Sequence, residues 1–227
     1  FTSRETTTYY VKVLDQQLER ALELLSDLFH HSCFAPKEIE KEKQVVLEEI
    51  RMVQDDPEDL VQELHMGQVL GRHPLGRSIL GREKTIRGLH RQDLLNYIET
   101  HYSPGQTVVS IAGNFEQAKL DPMVARYFGK GRATKTTHAN GRRPAYVHGC
   151  VWLNQIRFDQ VHLCIRLKGV EAGHQDRYAL YALNSVLGGS VSSRLFQEVR
   201  EKRGLAYSIY SFLSGYSDGG MITVYAA

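Results

Sequence analysis

The spacing of apolar side chains divides the chain into helical and strand-like segments. Leu18, Leu22, Leu25 and Phe29 recur at the three- and four-residue intervals of one helix face. Elsewhere, apolar residues alternate with polar ones or form short runs, as they do in strands. The pattern predicts further helices over residues 36–54, 57–70, 91–102, 116–128, 174–187 and 190–203, and strands over residues 6–14, 107–112, 150–156, 159–168, 205–214 and 219–226.

Helices and strands are mixed along the chain and several strands are adjacent in sequence, which favours an α+β fold with largely antiparallel sheets. A faint repetition between residues 1–13 and 212–224 suggests that the chain contains parts of two related domains. Both ends interrupt strand patterns, so we expect both domains to be incomplete. The only long stretch without periodicity separates them and predicts three parts: a first domain in residues 1–130, a linker in 131–147 and a second domain in 148–227.

The composition is that of an ordinary globular protein, with 42% hydrophobic and 24% charged residues. A net charge of +2 is too small to indicate a nucleic-acid partner. No apolar run reaches the length of about eighteen residues that a membrane span requires. Three cysteines without a C-x-x-C pair favour a reducing compartment over a disulfide framework.

The predicted helix 36–54 carries two carboxylates at unexpected positions. On a projection of about 100° per residue, Glu42 and Glu49 fall within about 20° of each other, in the middle of an apolar arc. The arc contains Ile39, Val45, Val46, Ile50, Met52 and Val53, and the opposite side contains Lys41, Lys43, Gln44, Glu48 and Arg51, with Leu47 as its apolar exception.

A carboxylate that faces a core needs a cation or a proton, because an ionised one without a partner is costly to bury. One interpretation is a buried ion pair, or a helix side that is more solvated than the pattern indicates. The other is a metal ligand, Glu49, with a supporting carboxylate, Glu42. No local motif decides between them, since H-E-x-x-H, H-x-x-E-H and C-x-x-C are all absent from the sequence.

Four segments resemble the insulinase/pitrilysin (M16) family of zinc metallopeptidases, which includes the mitochondrial processing peptidase. They span nearly the whole chain and are most similar to the bacterial, processing-peptidase-like members. The segments are IEKEKQVVLEEIRMVQDDPEDL (39–60), HPLGRSILG (73–81), HYSPGQTVVSIAGN (101–114) and SSRLFQEVREKRGLAYSIYS (192–211).

The resemblance implies a fold of two related α+β domains and a zinc site. In this family an H-x-x-E-H helix supplies two zinc-binding histidines and a general-base glutamate. A glutamate on a later helix is the third ligand, and another, seven residues earlier, supports the site; these match Glu49 and Glu42. The H-x-x-E-H helix is expected before Phe1, so the 227-residue chain alone is expected to be inactive.

Four residues match family positions that contact substrate. Arg200 and Tyr207 correspond to a pair that binds the peptide and helps to polarise the scissile bond. The segment FTSRE (1–5) resembles the end of the strand along which substrate is added, so Phe1 and Thr2 are expected to contact substrate. A surface arginine and an ordinary strand tyrosine are the alternative interpretation of Arg200 and Tyr207.

The implied function is that of a zinc-dependent endopeptidase, with one zinc per subunit, that hydrolyses peptides or unfolded segments inside a closed chamber. The alternative is a non-catalytic partner or structural subunit. Because Glu49 and the Arg200–Tyr207 pair occur in one chain, a homodimer is expected, with a heterodimer of related subunits as the alternative. The expected location is the bacterial cytoplasm; the alternatives are the periplasm and the mitochondrial matrix.

Overall fold

A computed structural model describes residues 1–129, 143–154 and 158–227. It combines helices with an antiparallel sheet and confirms the α+β class. The helices are α1 (Leu18–His30), α2 (Pro36–Asp55), α3 (Pro57–Leu70), α4 (Glu83–Gly88), α5 (Arg91–His101), α6 (Gln117–Phe128) and α7 (Arg177–Leu187), and the strands are β1 (Leu163–Lys168), β2 (Ile209–Gly215) and β3 (Gly220–Ala226). There are also 3₁₀ turns at Asp15–Gln17, Pro74–Gly76 and Pro104–Gln106, and a π-helical segment at Phe196–Glu201.

Three predicted strands do not form within the described residues. Segments 6–14 and 107–112 belong to no strand, and neither does the described part of 150–156. Near the beginning of the chain, the described residues form an isolated bridge between Thr2 and Thr7 and no strand. Alternating apolar residues make a segment compatible with a sheet, but a strand exists only where a neighbouring strand supplies its hydrogen bonds. The repetition between residues 1–13 and 212–224 therefore has no structural counterpart in the described residues.

The chain forms two compact units that do not follow its order. The first comprises Phe1–Leu47 and the described residues of Glu83–His138, and the second comprises Glu48–Arg82 and the described residues of Ala139–Ala227. The division falls within α2. Most of the predicted linker 131–147 lies outside the described residues, but its end packs in the second unit: the Tyr146 hydroxyl donates to Gly220 O at 2.8 Å. The predicted domain bounds stay a prediction.

The first unit is built around aromatic rings. Phe29 of α1 lies with its ring centroid 6.3 Å from Tyr9, 5.3 Å from Tyr102 and 6.3 Å from Phe128. This cluster joins α1 to the end of α6 and to the residue that follows α5. The apolar face predicted for α1 is therefore the one that packs, with Leu22 buried.

The second unit is built around the sheet, in which β3 lies between β1 and β2 and pairs antiparallel with both. Cys164, Tyr225 and Tyr210 form one row across the three strands. The α3 helix packs on this face, where His65 Nδ1 lies 3.4 Å from Cys164 Sγ. In the described parts of the chain, no helix is both long and apolar enough to cross a membrane.

Candidate functional site

The side of α2 that carries Glu42 and Glu49 is exposed, not buried. The prediction that both carboxylates face a core is therefore wrong for the described residues. Their exposure excludes a buried ion pair and agrees both with a solvated helix side and with a metal ligand that other residues complete. The apolar arc is split: Ile39, Val46 and Ile50 are partly covered, whereas Met52 and Val45 remain 70% and 46% exposed. Glu42, Val45, Glu49 and Met52 follow one another along the exposed side.

The buried side of α2 is centred on two residues that the pattern placed opposite the core. Leu47 is 3% exposed and Lys43 is 8% exposed. Lys43 is tolerated there because its ammonium donates to Glu40 Oε1 at 2.6 Å and lies 3.5 Å from Arg87 O. A buried charge that is paired in this way loses most of its desolvation penalty. The helix is thus rotated relative to the prediction, and Glu49 turns toward solvent.

Glu49 lines a cavity in the second unit, at the junction of α2 and α3. Three further carboxylates line the cavity, and four apolar residues form the rest of its wall. The lining residues are Glu49, Met52, Val53, Asp55, Asp56, Pro57, Asp59 and Leu80. Clustered carboxylates create a negative potential, so the cavity favours a cation.

The junction itself is specified by local sequence. Asp56 caps α3, since its side chain accepts hydrogen bonds from the backbone N–H groups of Glu58 at 2.8 Å and Asp59 at 3.0 Å. Pro57 occupies the first turn, where its missing N–H costs nothing. Burial, and then the charges of Asp56 and Glu58, raise the pKa of Asp59. None of these acidic residues was predicted as a site residue, although the string DDPED indicates a helix start with several carboxylates close together.

Among the residues that the structure describes, neither Glu42 nor Glu49 has a side-chain hydrogen bond or ion pair. A carboxylate without a partner beside an acidic cavity has the chemistry of one metal ligand. Within the same described ranges, no three groups of the kind His, Cys, Asp or Glu are arranged to hold a metal ion. The described residues therefore do not form a metal site by themselves, and the role of Glu49 as a ligand stays a prediction.

Arg200 and Tyr207 are brought together. The Arg200 guanidinium carbon lies 5.0 Å from the centroid of the Tyr207 ring and 4.8 Å from that of Phe196. Gly204 makes this possible, because its positive φ of 61° ends the helical segment and turns the chain back. The Tyr207 side chain is 76% exposed, and its backbone N–H donates to Ala227 O at 2.7 Å. The exposed Tyr207 hydroxyl and the neighbouring Arg200 guanidinium can both donate hydrogen bonds to a peptide carbonyl oxygen.

Phe1 and Thr2 belong to the first unit, whereas the other predicted substrate residues belong to the second. Thr2 pairs with Thr7 in an antiparallel bridge, and the Thr8 N–H donates to Phe1 O at 2.8 Å. The Phe1 side chain is 79% exposed. The segment that was expected to end a substrate-binding strand forms a tight hairpin-like turn in this chain.

A polar network between α3 and the sheet was not predicted at all. Glu58, in the first turn of α3, accepts a hydrogen bond from the hydroxyl of Tyr210 on β2. The two residues are far apart in sequence, and nothing in the local pattern around either of them signals the other. In the segment 192–211 the family resemblance gives a role to Tyr207 and none to Tyr210.

Two family models match the chain. A model described as insulinase (peptidase family M16) matches residues 1–83, and one described as peptidase M16 inactive domain matches residues 88–227. The uncharacterized zinc protease YmxG of Bacillus subtilis is 44% identical over 229 residues, which are 99% of this chain and 54% of that protein. An uncharacterized zinc protease of Streptomyces coelicolor is 39% identical over 232 residues, covering 100% of this chain and 50% of that protein. The chain spans about half the length of these curated relatives.

Solved structures share the fold at low sequence identity. The peptidase M16 inactive domain from Pseudomonas fluorescens superposes with a TM-score of 0.82 at 22% identity, over 93% of this chain and 52% of that one. A protease from Helicobacter pylori gives 0.81 at 21% identity, over 94% and 53%. A chain of Complex III2 from Candida albicans gives 0.79 at 17% identity, over 94% and 53%.

Proposed function

The chain belongs to the peptidase M16 family, and we propose that the complete protein is a zinc-dependent endopeptidase in which Glu49 is a zinc ligand. The observation that carries the proposal is the state of Glu49: an exposed carboxylate, without a side-chain partner among the described residues, beside an acidic cavity. Relatives named zinc proteases support the same activity. The substrates proposed are peptides or unfolded polypeptide segments.

The residues of this chain fit zinc as one part of its coordination sphere. Carboxylate oxygen is a normal zinc ligand, and a catalytic zinc site takes about three protein ligands. We assign the other two to a part of the complete protein outside this chain. When bound, zinc lowers the pKa of a water molecule and polarises the peptide carbonyl. The negative potential of Asp55, Asp56 and Asp59 adds to the attraction for a cation.

Glu42 supports the site indirectly in this proposal. It lies two helical turns before Glu49, a distance of about 10 Å along the helix axis at the usual rise per residue. The two carboxylates are too far apart for a direct hydrogen bond, and both accept hydrogen bonds only. Glu42 therefore acts through a group that sits between them, such as the N–H of an imidazole that another part of the protein supplies.

Arg200 and Tyr207 bind and orient the peptide. The guanidinium, held over the Tyr207 and Phe196 rings, is fixed in place before substrate arrives, which reduces the entropy lost on binding. Its N–H groups and the Tyr207 hydroxyl donate to the carbonyl oxygen that gains charge during hydrolysis. Phe1 and Thr2 are kept as substrate-contacting residues on the family resemblance alone, because both backbone groups of Phe1 already bond to Thr8 within the turn.

The test is Glu49→Gln in the complete protein, with Glu48→Gln as the matched control. Glu48 is the adjacent residue, and its carboxylate accepts from Arg51 on another side of the helix. We expect Glu49→Gln to lower zinc content and to reduce peptide cleavage by about 100-fold or more, because a ligand matters at least as much as the groups that support one. Glu48→Gln should leave both unchanged. If Glu49→Gln keeps full zinc content and full activity, Glu49 is not a zinc ligand.

The second candidate is a non-catalytic subunit, and the fold shared with a chain of Complex III2 is the observation in its favour. The two candidates differ in the complete wild-type protein: the first binds about one zinc per subunit and cleaves peptides, and the second does neither. We propose a homodimer for the first candidate, which a molar mass from light scattering checks. The 227-residue chain alone is expected to cleave no peptide.

A further inference from the structure

The first turn of α3 has two sides with different surroundings. Asp56, Pro57 and Asp59 line the cavity beside Glu49, whereas Glu58 does not. The Glu58 side chain is instead directed to the sheet, where its Oε1 accepts from the Tyr210 hydroxyl. This hydrogen bond thus connects β2 to the first turn of α3, whose neighbouring residues Pro57 and Asp59 line the cavity.

Further contacts hold α3 on the same face of the sheet. One helical turn after Glu58, the Gln62 side chain donates to the Tyr210 hydroxyl at 3.4 Å. Arg166 of β1 donates to Gln62 O at 2.8 Å and to Thr223 Oγ1 of β3 at 3.3 Å. All three strands therefore take part, and the beginning of the helix is held mainly by Glu58 and Gln62.

Tyr225 completes the surroundings of Glu58. Its side chain is 1% exposed, and its ring centroid lies 5.1 Å from that of Tyr210. Its hydroxyl lies 2.7 Å from His162 Nδ1. Burial and the Glu58 carboxylate raise the pKa of both tyrosines well above the usual value, so both remain protonated donors across the physiological range. A carboxylate bonded to such donors is held firmly on the sheet side of α3.

We infer that Tyr210 and Glu58 are positioning residues for the Glu49 cavity: their hydrogen bond sets the place of the first turn of α3 and keeps the Glu58 carboxylate out of the cavity. Glu49, Asp55, Asp56 and Asp59 already crowd that space, so another carboxylate there would add repulsion and a competing cation ligand. The effect on catalysis rests on the proposed function, whereas the effect on α3 does not.

The test is Tyr210→Phe in the complete protein, which removes the hydroxyl and keeps the ring. We expect the backbone amides of residues 58–62 to exchange with solvent about 10-fold faster or more, since a hydrogen bond to a charged group is lost. For peptide cleavage we expect KM to rise about 3- to 10-fold while kcat stays within about 2-fold and zinc content is unchanged, because the cavity wall moves but the metal ligand does not. Tyr181→Phe, at an exposed tyrosine of α7, is the control and should change none of these quantities.

A conservative variant separates positioning from a general loss of stability. Glu58→Gln keeps an oxygen that accepts from Tyr210 and should retain nearly wild-type KM and exchange rates. Glu58→Ala should raise the exchange rates of residues 58–62 as Tyr210→Phe does, but should raise KM less, because it leaves no carboxylate to enter the cavity. Unchanged exchange of residues 58–62 in Tyr210→Phe overturns the inference, and so does faster exchange with an unchanged KM. If the wild-type protein cleaves no peptide, the proposed function fails, and the exchange rates alone decide whether Tyr210 holds α3.

Discussion

Glu49 and Glu58 are nine residues apart on consecutive helices, yet they differ in exposure and in hydrogen bonding. Glu49 is exposed beside the cavity and has no side-chain partner among the described residues. Glu58 is half-buried and is bonded to Tyr210, with Tyr225 close by. An ionised carboxylate that contributes to folding is expected to have donors around it. A carboxylate left open at a cavity is available for a ligand instead.

Two tyrosines on the sheet side repeat this contrast. Tyr207 is 76% exposed, and its ring contact within the described residues is with the guanidinium of Arg200. Tyr210, three residues later, donates to Glu58 and is half-buried. The open pair, Glu49 and Tyr207, carries the chemistry that we propose, and the bonded pair, Glu58 and Tyr210, holds the scaffold. Variants that affect activity without affecting stability, and the reverse, test this division directly.

The largest expected effect is a loss of peptide cleavage when the exposed Tyr207 hydroxyl is removed. Tyr207→Phe removes a donor that would meet the charged carbonyl oxygen, so we expect kcat/KM for a peptide to fall by about 100-fold. The free energy of unfolding should change by no more than about 0.5 kcal/mol, because the hydroxyl is on the surface. Tyr97→Phe, at another exposed tyrosine, is the control. If Tyr207→Phe loses stability but keeps its activity, Tyr207 holds the scaffold and does not donate to the substrate.

The second largest expected effect is a loss of folding stability when the Glu58 carboxylate is removed. Glu58→Ala should lower the free energy of unfolding by about 2 kcal/mol, because it leaves the Tyr210 hydroxyl without its acceptor. Glu49→Ala should change it by less than about 0.5 kcal/mol. Urea denaturation of the complete protein, with zinc removed by a chelator, measures both. Equal losses in the two variants would show that Glu49 is also engaged by the folded protein.

The smallest expected effect is on the pH dependence of stability at Asp59, which follows Glu58 in the chain and lines the cavity beside Glu49. Its pKa is raised in the folded state above the ordinary value of 3.8, so over the interval between these two values the folded state binds more protons than the unfolded state. Stability therefore falls as pH rises through this interval. Asp59→Asn should remove that fall, and the difference will be small because an exposed group is screened by water. Urea midpoints at a series of pH values above 3.8 measure it; a wild type that gains stability relative to the variant would contradict the sign.

Local chemistry explains which parts of the fold could be predicted. The α3 helix was expected over residues 57–70 and is observed at Pro57–Leu70, because a proline in the first turn and a capping aspartate act within a few residues. The positions of β1, β2 and β3 were also expected, though with longer bounds. The absent strands 6–14 and 107–112 have equally good patterns, but a strand depends on a partner that no local pattern specifies.

The residue types of the site and their order follow directly from the sequence: Glu42 and Glu49 are two turns apart on one helix, and Arg200 and Tyr207 lie on either side of Gly204. Which side of α2 is buried depends on its tertiary contacts. The apolar arc was wide enough to allow either half to pack, and the contacts of Lys43 and Leu47 selected the half away from Glu49. The bond between Glu58 and Tyr210 likewise joins residues 152 positions apart, so it exists only once α3 lies on the sheet.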